Sequence, residues 1–157
     1  MNRFSVVLIL GVILCVGSGA MATTDEELHG AWITATTNHG VRVVGYGTVQ
    51  WNGLTFSTNA TVTWTWKRDQ WNETNSGTYH LAEVERPGLR TLFNLVISPT
   101  TMAVWRPLTL TDVTVGKDNR FPLSWTVLKW RDEAGNLITF IREDDAKERR
   151  TKPPTVP

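Results

Sequence analysis

The side chains able to make or break bonds are few in this sequence and poorly spaced for that work. The three histidines, His29, His39 and His80, show no His-x-x-x-His spacing, so no pair shares a helical face to hold a metal. His80 beside Tyr79 reads as a surface strand residue rather than a base. No serine sits in a Gly-x-Ser-x-Gly elbow, and the single Cys15 lies in an apolar N-terminal run, so no activated hydroxyl or thiolate is offered. Asp69, Glu73, Glu83, Glu85, Asp112 and Asp132 fall mostly at expected turns or strand ends, where carboxylates are solvated. These positions predict a protein that is not an enzyme and carries no metal or cofactor.

Aromatic surface is what the sequence offers instead. The chain holds 8 Trp. Trp carries the largest buried area of any side chain, and its N–H asks for a partner once inside. Trp64, Trp66, Tyr46, Tyr79, Phe93, Trp105 and Trp125 are the candidate ligand-contacting residues, with Trp51 and Trp130 completing the aromatic set. Such side chains suit an apolar pocket for a small hydrophobic, lipid-like molecule. Some must simply fill the core, because a domain of this size buries roughly two-thirds of its surface. Leu and Ile would fill it without an N–H to satisfy, which makes the Trp excess informative. If Trp64 and Trp66 instead face solvent, they form an aromatic strip suited to a glycan or a protein partner.

The elements that position these residues begin after a targeting segment. Arg3 precedes the apolar run Val6–Val16, and Ala20-Met21-Ala22 has the small-x-small pattern of a signal-peptidase site. The run is too short to span a bilayer as a helix. Residues 1–22 therefore read as a cleaved signal peptide, and the mature chain as secreted or periplasmic. Leu14 before Cys15 argues against lipoprotein anchoring, because a small residue is wanted there. Removing residues 1–22 takes away the only Cys, which excludes a disulfide framework. It also removes Arg3. The whole chain has 16 Lys and Arg against 15 Asp and Glu, so the mature chain is neutral and lacks the positive field of a nucleic-acid binder. Asn59-Ala60-Thr61 and Asn72-Glu73-Thr74 match the glycosylation acceptor pattern, which matters in a eukaryotic host.

From Gly30 onward the texture is β-branched and aromatic. In Thr61–Lys67, Val62, Trp64 and Trp66 share one face and the threonines the other, the period of a half-buried strand. Ala31–Thr37, Val41–Trp51, Gly77–Glu85, Leu89–Ile97, Met102–Trp105, Ser124–Arg131 and Leu137–Arg142 read as further strands, with Leu108–Val115 weaker. Asn38 to Gly40, Asn52-Gly53, Asn72 to Gly77, Arg86 to Gly88, Ser98-Pro99 and Asp132 to Asn136 are turn-forming clusters. Asn52-Gly53 gives the strongest tight-hairpin signal. Asp25 to His29 has some helical character, and the charge run and prolines at 146–157 predict a disordered tail. Residues 23–145 thus form one all-β domain of eight or nine short antiparallel strands. The short connections favour up-and-down pairing in an eight-stranded barrel, with a β-sandwich as the alternative.

Gly30-Ala31-Trp32 on the first strand and Arg142 at the end of the last resemble the pattern of the calycin superfamily, in a small lipocalin-like form. The resemblance implies that Trp32 seals one end of the barrel with Arg142 over its ring, and that a small hydrophobic ligand is held inside. The Asp-containing turn and disulfides of true lipocalins have no counterpart. The texture of Thr63–Lys67 and Trp71–Tyr79 is also similar to avidins, but the Asn, Ser and Tyr set that binds a biotin ureido ring has none either.

Overall fold

The computed structural model describes residues 23–35, 41–43, 47–84, 92–101 and 106–151. The expected signal peptide with Cys15, the Asn38–Gly40 and Arg86–Gly88 turns, the Met102–Trp105 strand and residues His39, Tyr46 and Trp105 lie outside the described residues. Among the described residues nine strands follow in chain order: β1 (Gly30–Thr34), β2 (Val41–Val43), β3 (Gly47–Phe56), β4 (Thr61–Arg68), β5 (Trp71–Val84), β6 (Leu92–Pro99), β7 (Leu108–Gly116), β8 (Val127–Arg131) and β9 (Leu137–Arg142). A short helix, α1 (Asp25–Leu28), precedes them and a second, α2 (Glu143–Thr151), ends the chain's described part.

Closure follows from the register. β1 pairs antiparallel with β9 through Trp32↔Arg142 and with β3 through Gly30↔Phe56. β2 pairs with the other end of β3, Val41↔Val49, so β1 and β2 lie end to end as one interrupted strand. Counting them as one, the sheet is a closed eight-stranded up-and-down barrel, consistent with a calycin-like fold and not a two-sheet sandwich. A closed sheet has no edge strand to protect.

Three turn expectations fail for identifiable reasons. Asn52-Gly53 is not a hairpin but a bulge inside β3, where the pairing with β4 shifts between Trp51 and Gly53. A Cβ on Gly53 would meet the Trp32 carbonyl at 2.7 Å, so glycine serves close strand approach there rather than a reversal. Asn72 to Gly77 is not a turn but the first half of β5, paired residue by residue with β4 from Lys67↔Asn72 to Val62↔Gly77. The reversal falls earlier, at Asp69-Gln70, with Asp69 at φ 54°. Ser98 and Pro99 belong to β6, paired with Thr78 and Gly77. Val41–Trp51, expected as one strand, reverses into β2 and β3.

Residues 146–151 are helical where a disordered tail is expected over 146–157, and residues 152–157 lie outside the described residues. Glu143, Asp144 and Asp145 open α2, where carboxylates complement the helix dipole. The Thr126 N–H donates to Asp145 Oδ2 at 2.7 Å, and Glu143 pairs with Lys147 at 3.1 Å. Those two ties let residues with no apolar stripe continue as helix through Thr151.

At the opposite end of the sequence, Thr24 caps α1 in a capping box with Glu27. The Thr23 hydroxyl donates to Val113 O and accepts from Val115 N, each at 3.2 Å, bridging an irregular stretch of β7. α1 is thereby fixed across one end of the barrel, with Leu28 fully buried beneath it.

Candidate binding site in the barrel interior

Register divides the barrel into an α1 end, with Gly30, Phe56, Thr61 and Arg142, and a far end, with Gly47, Arg68, Trp71 and Leu137. At the α1 end the Arg142 guanidinium sits 4.5 Å from the centroid of the Trp32 ring. Its two terminal nitrogens donate to the carbonyls of His29 and Glu27, each at 2.7 Å. The Trp32 indole N–H donates to Leu28 O, also at 2.7 Å. Gly30 has φ +114°, and a Cβ there would lie 3.0 Å from Arg142 Nη1. Gly30, Trp32 and Arg142 are thus one contact unit that holds α1 over the barrel.

Alternation in β3 and β4 sends the large aromatics inward toward the far end. Trp64 and Trp66 are 1 % and 0 % exposed, so neither contributes to a surface strip. Trp51 is the hub: its ring centroid lies 5.5 Å from Trp66, 5.6 Å from Trp130, 6.4 Å from Phe140 and 6.5 Å from Trp64. Most of these contacts are edge-to-face, the arrangement ring quadrupoles prefer. Trp130 lies 4.6 Å from Phe140, which closes the cluster across β8 and β9.

The cluster has a polar side, and β5 supplies it. Glu73, Asn75, Gly77 and Tyr79 occupy alternate positions on the strand, and Asn75, Gly77 and Tyr79 are buried. The Trp66 indole N–H donates to Glu73 Oε2 at 3.0 Å, and Arg68 donates to the other carboxylate oxygen. Asn75 stands opposite Trp64 in the β4–β5 ladder. The Asn75 amide nitrogen and the indole nitrogens of Trp64 and Trp130 are buried and have no hydrogen-bond partner. Nearer the α1 end, Tyr79 packs edge-on against Phe56 at 4.8 Å. Burial, and then the nearby Asp25 carboxylate, push its phenol above the ordinary tyrosine range.

Of the other sequence candidates, Phe93 is half-buried on the same face of β6 as Leu95. Trp125 lies apart from the cluster, stacked on Phe121 at 6.3 Å in the β7–β8 connection. His80 is exposed, and His29 pairs with Asp25 at 3.4 Å. Among the described residues no group of three His, Cys, Asp or Glu is placed to hold a metal. Glu73, expected as a solvated carboxylate, and Asn75, for which the sequence pattern suggests no role, lie in a segment that has the composition of a turn. Carrying the period of two back from Tyr79 places both on the inward face.

A separate groove of about 200 Å³ lies on the outer wall of β1, β3 and β4, lined by Ile33, Thr55, Thr63, Thr65 and Glu143 among others. It is smaller than sites for drug-sized ligands, which start at about 300 Å³. Comparison of the chain with protein-family models, with curated proteins and with solved structures finds no match.

Proposed function

We propose that the chain is an exported, lipocalin-like binding protein, not an enzyme, that holds a small hydrophobic molecule inside its barrel. The observation that carries this reading is the interior itself: an aromatic cluster in which the buried indole N–H groups of Trp64 and Trp130 meet no acceptor among the described residues. A core selected only for packing is filled by Leu, Ile and Val, which leave no donor stranded. Export is supported by the apolar run before Ala22 and its small-x-small site. The union of Gly30, Trp32 and Arg142 supports the calycin-like placement of the plugged end. Because Trp51, Trp64, Trp66 and Trp130 are in ring contact, a ligand enters by displacing an indole. Binding therefore registers in Trp emission.

The test is titration of the full chain with the apolar dye N-phenyl-1-naphthylamine, alongside native mass spectrometry of protein purified from its own host. Saturable quenching of the buried Trp emission, with a co-purified apolar adduct, is expected. No saturable binding and no adduct would overturn the reading. A second reading, contact with a glycan or protein through an exposed Trp, now rests on Trp71, which is 72 % exposed at the start of β5. Loss of partner binding in Trp71→Ala with dye binding intact would favour it.

A further inference from the structure

We infer that the ligand is an uncharged apolar molecule carrying a carbonyl oxygen, and that this oxygen accepts hydrogen bonds from the Asn75 amide N–H and the Trp64 indole N–H. The inference rests on the interior-binding reading above and names the chemistry of its polar contact.

Trp64 and Asn75 are direct partners in the β4–β5 ladder and both are buried, so their side chains are neighbours on the inner wall. Each brings a buried nitrogen donor with no acceptor. A stranded buried donor destabilises the empty barrel, and an acceptor on the ligand relieves that penalty. Trp130 holds a third such donor on the other side of Trp51. The site therefore asks for an acceptor.

Charge decides which acceptor. The buried polar residues among those described are Thr23, Asn75, Asp118, Asp132 and Thr139, with no Lys or Arg. The nearest cation on the inward face of the ladder, Arg68, is bound to Glu73, Lys67 lies one position nearer but on the exposed outer face, and Arg142 is held at the α1 end by Trp32 and two carbonyls. A carboxylate or phosphate at Asn75 would sit two residues from the Glu73 carboxylate with no free cation among the described inward-facing residues to offset its desolvation. A neutral ketone, ester or amide oxygen meets the donors without that penalty.

The strand composition agrees. A β-strand that only filled the core would place Val or Ile opposite Trp64. This one keeps Asn75 within a run of turn-type residues, and a local preference that the fold overrides marks a functional position.

The experiment uses three probes of matched length, 2-nonanone, 1-nonene and nonanoate, on the full chain, followed by Trp emission and by the indole N–H resonances. The ketone is expected to bind about tenfold tighter than either other probe, and to move the Trp64 indole proton downfield. Asn75→Leu should lower ketone affinity to the level of the alkene while alkene binding persists. The wild-type indole shifts stand even if that variant does not fold. Equal binding of ketone and alkene, strongest binding by nonanoate, or indole protons that contact only water would overturn this inference and leave the apolar-ligand reading intact. Failure of all three probes to bind would overturn that reading and this inference with it.

Discussion

The Arg142 guanidinium lies over the Trp32 ring, and the same two residues are direct partners across the β1–β9 pairing. The contact closes the barrel and clamps α1 at once, because the guanidinium also donates to Glu27 and His29 carbonyls. Trp32→Ala should destabilise by about 3 to 5 kcal/mol, as a large-to-small change at a 1 % exposed position. Arg142→Lys keeps the charge but cannot reproduce the fork over both carbonyls, and should lose about 1 to 3 kcal/mol. Urea unfolding of both variants checks the ranking. Equal midpoints for Arg142→Lys and wild type would show that the fork adds nothing to charge alone.

Trp64 and Trp66 offer an internal control for the unpartnered donors. Replacing either by Phe removes the same ring volume and the same N–H. Only Trp66 has an acceptor, Glu73 at 3.0 Å. Trp66→Phe should therefore be the more destabilising of the two by about 1 to 3 kcal/mol, since it leaves a half-buried carboxylate with one donor fewer. Denaturant midpoints of the two variants, measured without ligand, test it. A Trp64→Phe loss as large as that of Trp66→Phe would mean that the Trp64 donor is already satisfied.

How far the sequence carries can be read off β4 and β5. Strict alternation in Thr61–Lys67 placed Trp64 and Trp66 on one face, and the barrel turns that face inward. Alternation alone could not choose between cavity and solvent, because threonines on the opposite face suit either. Closure made the choice, and closure depends on β1 meeting both β3 and β9, a long-range pairing with no local signature. β5 failed for the opposite reason. Asn72 to Gly77 carries the composition of a turn, and its six pairings with β4 hold it extended. The Gly30, Trp32 and Arg142 unit is legible only through the resemblance, because a Gly-x-Trp at one end of the domain and an Arg at the other do not by themselves place the two side chains together. Asn75 is not legible, because its identity makes sense only opposite Trp64.

Asp118 makes the fold sensitive to acid at the α1 end. Arg120, through its side chain and its backbone N–H, and then Lys129 hold this buried carboxyl well below the usual carboxylate range, against the desolvation that opposes ionisation. A depressed folded value gives stability that is complete above the ordinary value of 3.8 and is lost as the pH falls below it. Thermal unfolding from neutral pH downward should show a decline beginning near that value. Asp118→Asn should start less stable at neutral pH and decline less steeply. Parallel slopes for the two proteins would remove Asp118 as a source of acid sensitivity.

Tyr79 sets the alkaline limit. Burial first, and the nearby Asp25 carboxylate second, raise its phenol above the ordinary 10.0. A raised folded value gives stability that is complete below the unfolded pKa and is lost as the pH rises through the folded one. The protein should therefore keep its full stability up to about pH 10 and weaken above it, as the unfolded chain ionises while the folded one does not. The chain has 2 Tyr, so the measurement belongs in a Tyr46→Phe background, where any phenolate absorbance reports Tyr79. Phenolate should appear only together with loss of the β-sheet circular dichroism signal. Removing the neighbouring charge with Asp25→Asn should ease ionisation without eliminating that coupling, because burial is the larger cause. Phenolate forming near the ordinary value in a barrel that stays folded would place Tyr79 in contact with solvent and open the core at the α1 end.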